Sequence, residues 1–339
     1  MSIISDIVER LDLHTNQFGQ RMDAAAISNG TIFLERELTQ VRTKVLEVKY
    51  PANKAITFIP LATDIHPAAD VYTWKVTNSW GQARIIHGDE EALPMAGADA
   101  EEKTGKVVTL GMGYGWTRSE MQKAMWLGAP LADTLAKAAR RGHEISIDEL
   151  LRTGKLASTG QVANGLGGFC NCPLVYKAQT FTNWLSVGTP PTALQIYNDL
   201  VNFTTRISTT TNELYEDDTL LIASPLYTKV SSTPMFTNGG ETTILQYFLR
   251  NSPNIRNVAQ WARLTSAGDG TIGTNGYHQM ISYQKSNEVL EGVVPVRFEM
   301  LGPQLKGFKT SIPCLSKCGG VKWYVPAAAN YGFVNNSTT

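Results

Sequence analysis

The chain has 339 residues, 42% of them hydrophobic, with 30 basic and 30 acidic residues and therefore no formal net charge. That length allows two domains or one elaborated domain with a sizeable core, and the neutral balance excludes a nucleic-acid binder that works by bulk charge. No run of about 18 apolar residues occurs, which excludes a helical membrane span, and a charged share of 18%, below the usual quarter, suits a surface largely covered by neighbours.

Residues 1–68 read as an extended arm carrying one helix. Asp6 and Glu9 stand where a signal peptide needs a basic region and an apolar core, so a reducing cytoplasm is expected. From Thr31 to Leu46, Phe33, Leu34, Leu38, Val41 and Val45 recur at helical spacing. Pro51 ends that pattern, and Phe58–Leu61 reads as extended.

A long two-stranded ribbon follows, over residues 69–116. Its rising strand starts at Val71 and its returning strand is Val108–Trp116. There Val108, Leu110, Met112, Tyr114 and Trp116 alternate with Thr109, Gly111, Gly113 and Gly115, giving one apolar face and one flat face. The tip between them, residues 87–102, carries Asp89, Glu90, Glu91, Asp99, Glu101 and Glu102 and no Lys or Arg. An isolated hairpin is marginal in water, so this ribbon predicts a partner.

Ser119–Leu127 reads as a short helix that Gly128-Ala129-Pro130 interrupts. A second helix runs from Pro130 to about Arg152, with Gly154 as its C-cap. Its expected apolar stripe is Leu131, Leu135, Ala138, Gly142 and Ile145, with Lys137, Arg140 and Arg141 forming a basic face. A glycine inside a helix costs about 1 kcal/mol relative to alanine, so Gly142 predicts a close neighbour. The Gly-rich stretch 158–172 reads as a flexible connection. A second unit then spans 190–288: a helix at Thr192–Thr209, a buried strand at Leu220–Ala223, a helical turn from Pro225, a helix at Thr243–Arg250 and a strand at Gln279–Tyr283. Residues 289–325 are strand-rich and are expected to return to the 131–152 helix, which makes 190–288 an insertion between two halves of one domain.

Motifs for chemistry are weak. Cys170, Cys172, Cys314 and Cys318 form C-x-C and C-x3-C pairs. Four thiolates suffice for zinc, but structural knuckles use C-x2-C, and reduced, partly buried thiols are the expectation. Gly111-Met112-Gly113-Tyr114-Gly115 lacks the third glycine of a dinucleotide fingerprint and the Gly-Lys-Ser/Thr of a P-loop, and its alternation makes it strand. His143-Glu144 opens like a zinc-protease motif, but Ile147 stands where the second histidine belongs. Asp217-Asp218 and Asp89-Glu90-Glu91 are paired carboxylates that read more simply as solvated turns or charge contacts to a neighbour than as an acid–base pair. No catalytic, cofactor or metal site is expected, and the chain does not read as an enzyme.

The C-terminal third carries a resemblance. Thr242-Thr243-Ile244-Leu245-Gln246-Tyr247-Phe248-Leu249-Arg250-Asn251-Ser252-Pro253-Asn254-Ile255, then Val293–Gln304, Pro313–Val321 and Tyr324–Ala328, are similar in content and order to motifs of a family of tailed-bacteriophage major capsid proteins. Phe33–Leu38, Val48–Pro51, Phe58–Pro60 and Ala138–Arg141 extend the resemblance over about residues 30–334. It implies an α+β chain with the Hong Kong 97-type capsid fold: an N-terminal arm (1–68), an extended E-loop (69–116), a P-domain with a spine helix (117–189), an inserted A-domain (190–288), and a second P-domain part with the C-terminal tail (289–339). It implies many copies of the same chain, as hexamers and pentamers of an icosahedral head in the virion, assembled in the host cytoplasm. Further implied partners are packaged double-stranded DNA held without sequence preference, a portal protein, and scaffold or decoration proteins, with no membrane. Some members of the fold join an E-loop lysine to a neighbour's asparagine. The tip here has no lysine, so no covalent link is expected. The expected intersubunit contact joins Asp89, Glu90 and Glu91 to Arg140 and Arg141 of the next copy. A nanocompartment shell of the same fold and a soluble α+β enzyme are the alternatives.

Overall fold

The computed structural model describes residues 53–84, 95–128, 130–156, 166–178, 181–236, 242–265 and 276–335. The arm helix expected at 31–46, the Gly-rich residues 158–165 and the carboxylates Asp89, Glu90 and Glu91 lie outside the described residues. A single helical turn, α1 (Ala55–Phe58), stands where extended chain was expected. The segment after it is extended, and Leu61 bridges to Gly292.

The ribbon exists, but its returning strand is not the expected one. Strand β1 (Val71–Trp80) pairs antiparallel with β2 (Gly97–Lys106), in register from Val71↔Lys106 to Trp80↔Gly97. The alternating strand β3 (Val108–Thr117) belongs to another sheet. The sequence Gly97-Ala98-Asp99-Ala100-Glu101-Glu102 has no apolar alternation and so gives no strand signal, whereas the alternation of β3 reflects one face packed on a helix. The chain changes sheets at the buried Val107, whose N–H donates to the Asp70 carbonyl at 2.8 Å.

Thr117 then starts α2 (Arg118–Leu127) with a reciprocal cap. Its hydroxyl accepts the Glu120 N–H, and the Glu120 carboxylate accepts the Thr117 N–H at 2.8 Å. Gly128, at φ +66°, ends α2, and Gly154, at φ +68°, ends α3 (Leu131–Thr153), both in the left-handed region that favours glycine. The buried face of α3 is rotated from the expected stripe: Ala139, His143 and Ile147 are buried while Ala138 is exposed. Gly142 has the close neighbour its position implied, since a Cβ there would meet Met112 Sδ of β3 at 2.6 Å. His143 Nδ1 lies 2.8 Å from the Ser316 hydroxyl, so one polar contact pins the helix to the sheet.

Further along the chain are β4 (Tyr176–Ala178), α4 (Ala193–Thr210), β5 (Thr219–Ala223), α5 (Ser224–Ser232), α6 (Ile244–Asn251), β6 (Asn257–Trp261), β7 (Tyr277–Tyr283), β8 (Leu290–Val293), β9 (Val296–Met300), β10 (Gln304–Lys306), β11 (Lys309–Cys318), β12 (Gly320–Trp323) and β13 (Ala329–Asn335). Strand β11 pairs antiparallel with β3 over ten positions and also with β9 and β10. The five-stranded sheet has the order β4-β13-β7-β5-β6. The second unit is therefore not closed within 190–288. Its sheet recruits β4 from before and β13 from after, because β7 has an unfilled edge that β13 pairs with seven times. The end of the Gly-rich stretch is packed as well: the Gly167 carbonyl accepts the Val321 N–H at 2.8 Å. All four cysteines are buried and free, and burial pushes the thiols of Cys170 and Cys318 up to about 12.

Asp217 sits inside this unit, 2% exposed, and its carboxylate accepts the Ser282 hydroxyl. Burial pushes its pKa from an ordinary 3.8 up to about 6, with the nearby acids Asp218 and Glu216 adding to the rise. The folded chain thus holds a proton there between about pH 4 and 6 that the unfolded chain has released. The stabilisation is complete below pH 3.8 and lost as the pH rises through 6. Wild type compared with Asp217→Asn should lose about 3 kcal/mol of relative stability across that window, as read by chemical denaturation at a series of pH values.

Candidate assembly interface

Because strand residues alternate between faces, the ribbon has two unlike sides. One presents Tyr72, Trp74, Val76, Asn78 and Trp80, facing Gly105, Lys103, Glu101, Asp99 and Gly97 in turn. The glycines are seats for the rings: a Cβ on Gly97 would run into Trp80 at 2.7 Å, and one on Gly105 would run into Tyr72. The distal part of this side is both apolar and acidic, with Trp80 about half exposed beside Asp99 and Glu101. Lys103, on the same strand, reaches Glu101 at 3.7 Å, an exposed contact of little net strength.

The root of the ribbon is held more firmly. Lys317 of β11 meets Asp70 at 3.2 Å. Lys322 of β12, 6% exposed, lies under three rings, with its Nζ 3.1 Å from the Trp74 centroid, 4.0 Å from Tyr324 and 5.3 Å from Tyr72. Tyr324 in turn donates its hydroxyl to Glu291 at 2.8 Å. Burial pushes the Lys322 pKa down to about 8, against the pull of the Glu291 and Asp64 carboxylates. A mostly desolvated ammonium facing aromatic rings is worth about 2 kcal/mol, which makes Lys322 a strong polar attachment between ribbon and body. No spacing in the sequence pointed to it. The only local sign is that Lys322 sits between inward-facing Val321 and two aromatic residues, Trp323 and Tyr324.

Of the residues expected to form the contact between copies, Arg140 and Arg141 lie on α3. Arg140 is exposed and bonds Glu144 one turn on at 3.2 Å, while Arg141 is half-buried. Lys137 is exposed on the same helix. Asp99, Glu101 and Glu102 are strand residues of β2 rather than part of a loop. Gly113 and Gly115 lie close to the β11 backbone because they pair with Pro313 and Ser311 in the sheet, while a Cβ on Gly111 would meet nothing, so the flat side of β3 is exposed at Gly111 and Gly113. Among the described residues no helix is long and apolar enough to cross a membrane.

The family model described as major capsid protein matches residues 81–332. A sequence comparison with curated proteins gives no match. Among solved structures, the capsid of Myoviridae phage XM1 aligns with a TM-score of 0.76 at 16% identity, covering 90% of this chain and 99% of that one. A chain from Gordonia phage Cozz aligns with a TM-score of 0.62 at 9% identity, covering 94% and 97%. One from Mycobacterium phage Ogopogo aligns with a TM-score of 0.57 at 10% identity, covering 90% and 100%.

Removing either partner of the root clamp should loosen the ribbon without unfolding the body. Lys322→Met and Trp74→Leu, combined in a double-mutant cycle, should show a coupling of about 1–2 kcal/mol, with faster amide exchange along Tyr72–Thr77 in each single variant. A coupling near zero contradicts the clamp.

Proposed function

The chain belongs to the major capsid protein family and has the Hong Kong 97-type capsid fold, and from that premise we propose that its copies assemble as hexamers and pentamers into the icosahedral head of a tailed bacteriophage, around packaged double-stranded DNA. In this reading the β1–β2 ribbon is the E-loop and ends at Lys106, α3 is the spine helix, and the unit built on β5, β6 and β7 is the A-domain. The observation that carries the proposal is the ribbon itself. Its two strands form a sheet of their own, with no third strand among the described residues. Two strands in water are marginally stable, so the segment beyond the Lys322 clamp takes its support from another copy.

The work is geometric and not catalytic. One chain accepts slightly different neighbours, and a contact repeated around a closed shell holds although each instance is weak. The ribbon tip, through Asp89, Glu90 and Glu91, meets Arg140 and Arg141 of an adjacent copy. The exposed Arg140–Glu144 pair costs a few tenths of a kcal/mol to break, so a neighbour's carboxylates compete for that guanidinium. The tip has no lysine, and the contact is non-covalent. DNA is held loosely, by scattered lysines and arginines and without sequence preference, as a chain of zero net charge implies. A portal protein, scaffold and decoration proteins complete the set of partners, with assembly in the host cytoplasm.

Electron microscopy of the purified protein should show closed shells, and nuclease-protected DNA inside particles from infected cells distinguishes a phage head from a shell that encloses protein cargo. Replacing Asp89, Glu90 and Glu91 together by lysine should cut particle yield roughly ten-fold while the circular dichroism spectrum stays unchanged, given that each lost ion pair costs under about 1 kcal/mol but recurs in every copy. Wild-type particle yield from that variant refutes the tip contact.

A further inference from the structure

A second surface, away from the ribbon, is exposed among the described residues. The turn between β10 and β11 projects Leu305 and Phe308, which are 79% and 82% exposed, on either side of Gly307. Gly307 has φ +60°, so the turn is set by a backbone angle that favours glycine. Lys306 and Lys309 stand directly opposite each other across the turn, an arrangement of like charges that is unfavourable and that Glu120 of the same chain offsets in part at Lys309. The result is a protruding knob with two apolar side chains and a pair of cations.

At the same corner lies a cleft of about 480 Å³ between α2 and α3, lined by Ala124, Leu127, Pro130, Leu131 and Leu135. The last turn of α2 beside it exposes Met125, Trp126 and Leu127 at 75%, 86% and 70%. Large apolar side chains exposed this fully and contiguously mark an interaction site. The charges fit the knob. Lys123 and Glu120 on the rim offset each other, Glu120 also feels Lys309 of its own chain, the last turn of α2 contains no basic residue to balance its carbonyl end, and Asp133 stands in the first turn of α3.

Knob and cleft are neighbours on one chain: the Phe308 carbonyl accepts the Arg118 N–H at 2.9 Å, and the cleft begins at Gly115 and Glu120. Yet Leu305 and Phe308 do not line the cleft, so among the described residues the knob does not fill the cleft of its own chain. We propose that the β10–β11 knob of one copy seats in the α2–α3 cleft of a second copy, with Phe308 and Leu305 against Leu127 and Leu131 and the Lys306–Lys309 pair over the carbonyl end of α2 and Asp133. Every copy carries both halves, so the contact is head-to-tail and repeats from copy to copy, closing into a ring where the rotation between copies closes. The inference rests on the self-assembly of the chain but not on the ribbon-tip contact.

The test uses the full-length chain. Phe308→Asp should lower particle yield roughly ten-fold or more, the size expected for a buried aromatic anchor, with melting temperature and circular dichroism unchanged because the side chain is exposed. The pair Phe308→Cys and Leu127→Cys should give a ladder of disulfide-linked oligomers on oxidation of particles, against a background of buried native thiols, and neither single variant should. Wild-type yield from Phe308→Asp, or particles of the double-cysteine chain without a ladder, overturns the contact and leaves the capsid assignment standing. Cross-linking by Phe308→Cys alone means that knob meets knob and overturns it too, as does a Phe308→Asp particle that forms at full yield but loses its nucleic acid. If wild type forms no particles under any condition, the assembly reading fails and this contact with it.

Discussion

The antiparallel pairing of β3 with β11 is the join on which the other parts hang. It runs unbroken from Val108↔Cys318 to Thr117↔Lys309, so it clips together two segments roughly 200 residues apart and defines the body between them. At its Cys318 end the chain departs into β12, where Lys322 takes hold of the ribbon root. At its Lys309 end it turns through Gly307, and there the knob projects. One strand pair therefore sets the ribbon and the knob at opposite ends of the same sheet, and a loss of register by one residue would turn every side chain on that sheet to the wrong face.

Helix α3 makes the pairing permanent. Gly142 lets it settle onto Met112 with no side chain between, and His143 reaches through to Ser316. The apolar core beneath, including Ile147, Leu150, Leu151 and Phe169, is continuous with Trp261 and Tyr283 of the neighbouring unit. One buried charge there has two partners: Asp148 accepts the Ala55 N–H at 2.9 Å and meets Arg263 at 3.4 Å. The desolvation of a buried carboxylate offsets much of what such a pair gains, so the contact adds little net stability.

The helices were legible in the sequence because their signals are local. Gly128, Pro130 and Gly154 punctuate them, and periodicity fills the spans between. The ribbon was legible as a feature but wrongly paired, because β2 is a strand by virtue of what stands opposite it. Gly97 and Gly105 carry no strand signal and become strand residues only under Trp80 and Tyr72. The same holds for β13, whose place beside β7 depends on an edge that forms elsewhere in the chain, and for Lys322, whose rings arrive from residues 72, 74 and 324. The buried face of α3 is offset by one position from the expected stripe, Ala139 in place of Ala138, since that stripe steps by about 3.5 residues and drifts about 20° per heptad on a straight helix of 3.6 residues per turn. The reciprocal cap of Thr117 and Glu120 was there to be read, as were those of Thr192 with Gln195 and Thr243 with Gln246.

The late position of β11 and β13 has a consequence for how the chain is made. During synthesis β3 waits about 200 residues for its partner, and β7 waits for a strand that leaves the ribosome only near residue 335. A nascent chain can form its helices and its ribbon early, but it has neither a completed central sheet nor the 304–309 turn until translation is almost finished. The order of synthesis thus works as a timer: a truncated chain, whatever it has already folded, lacks the strands that close its sheets and the turn at the far end of β3.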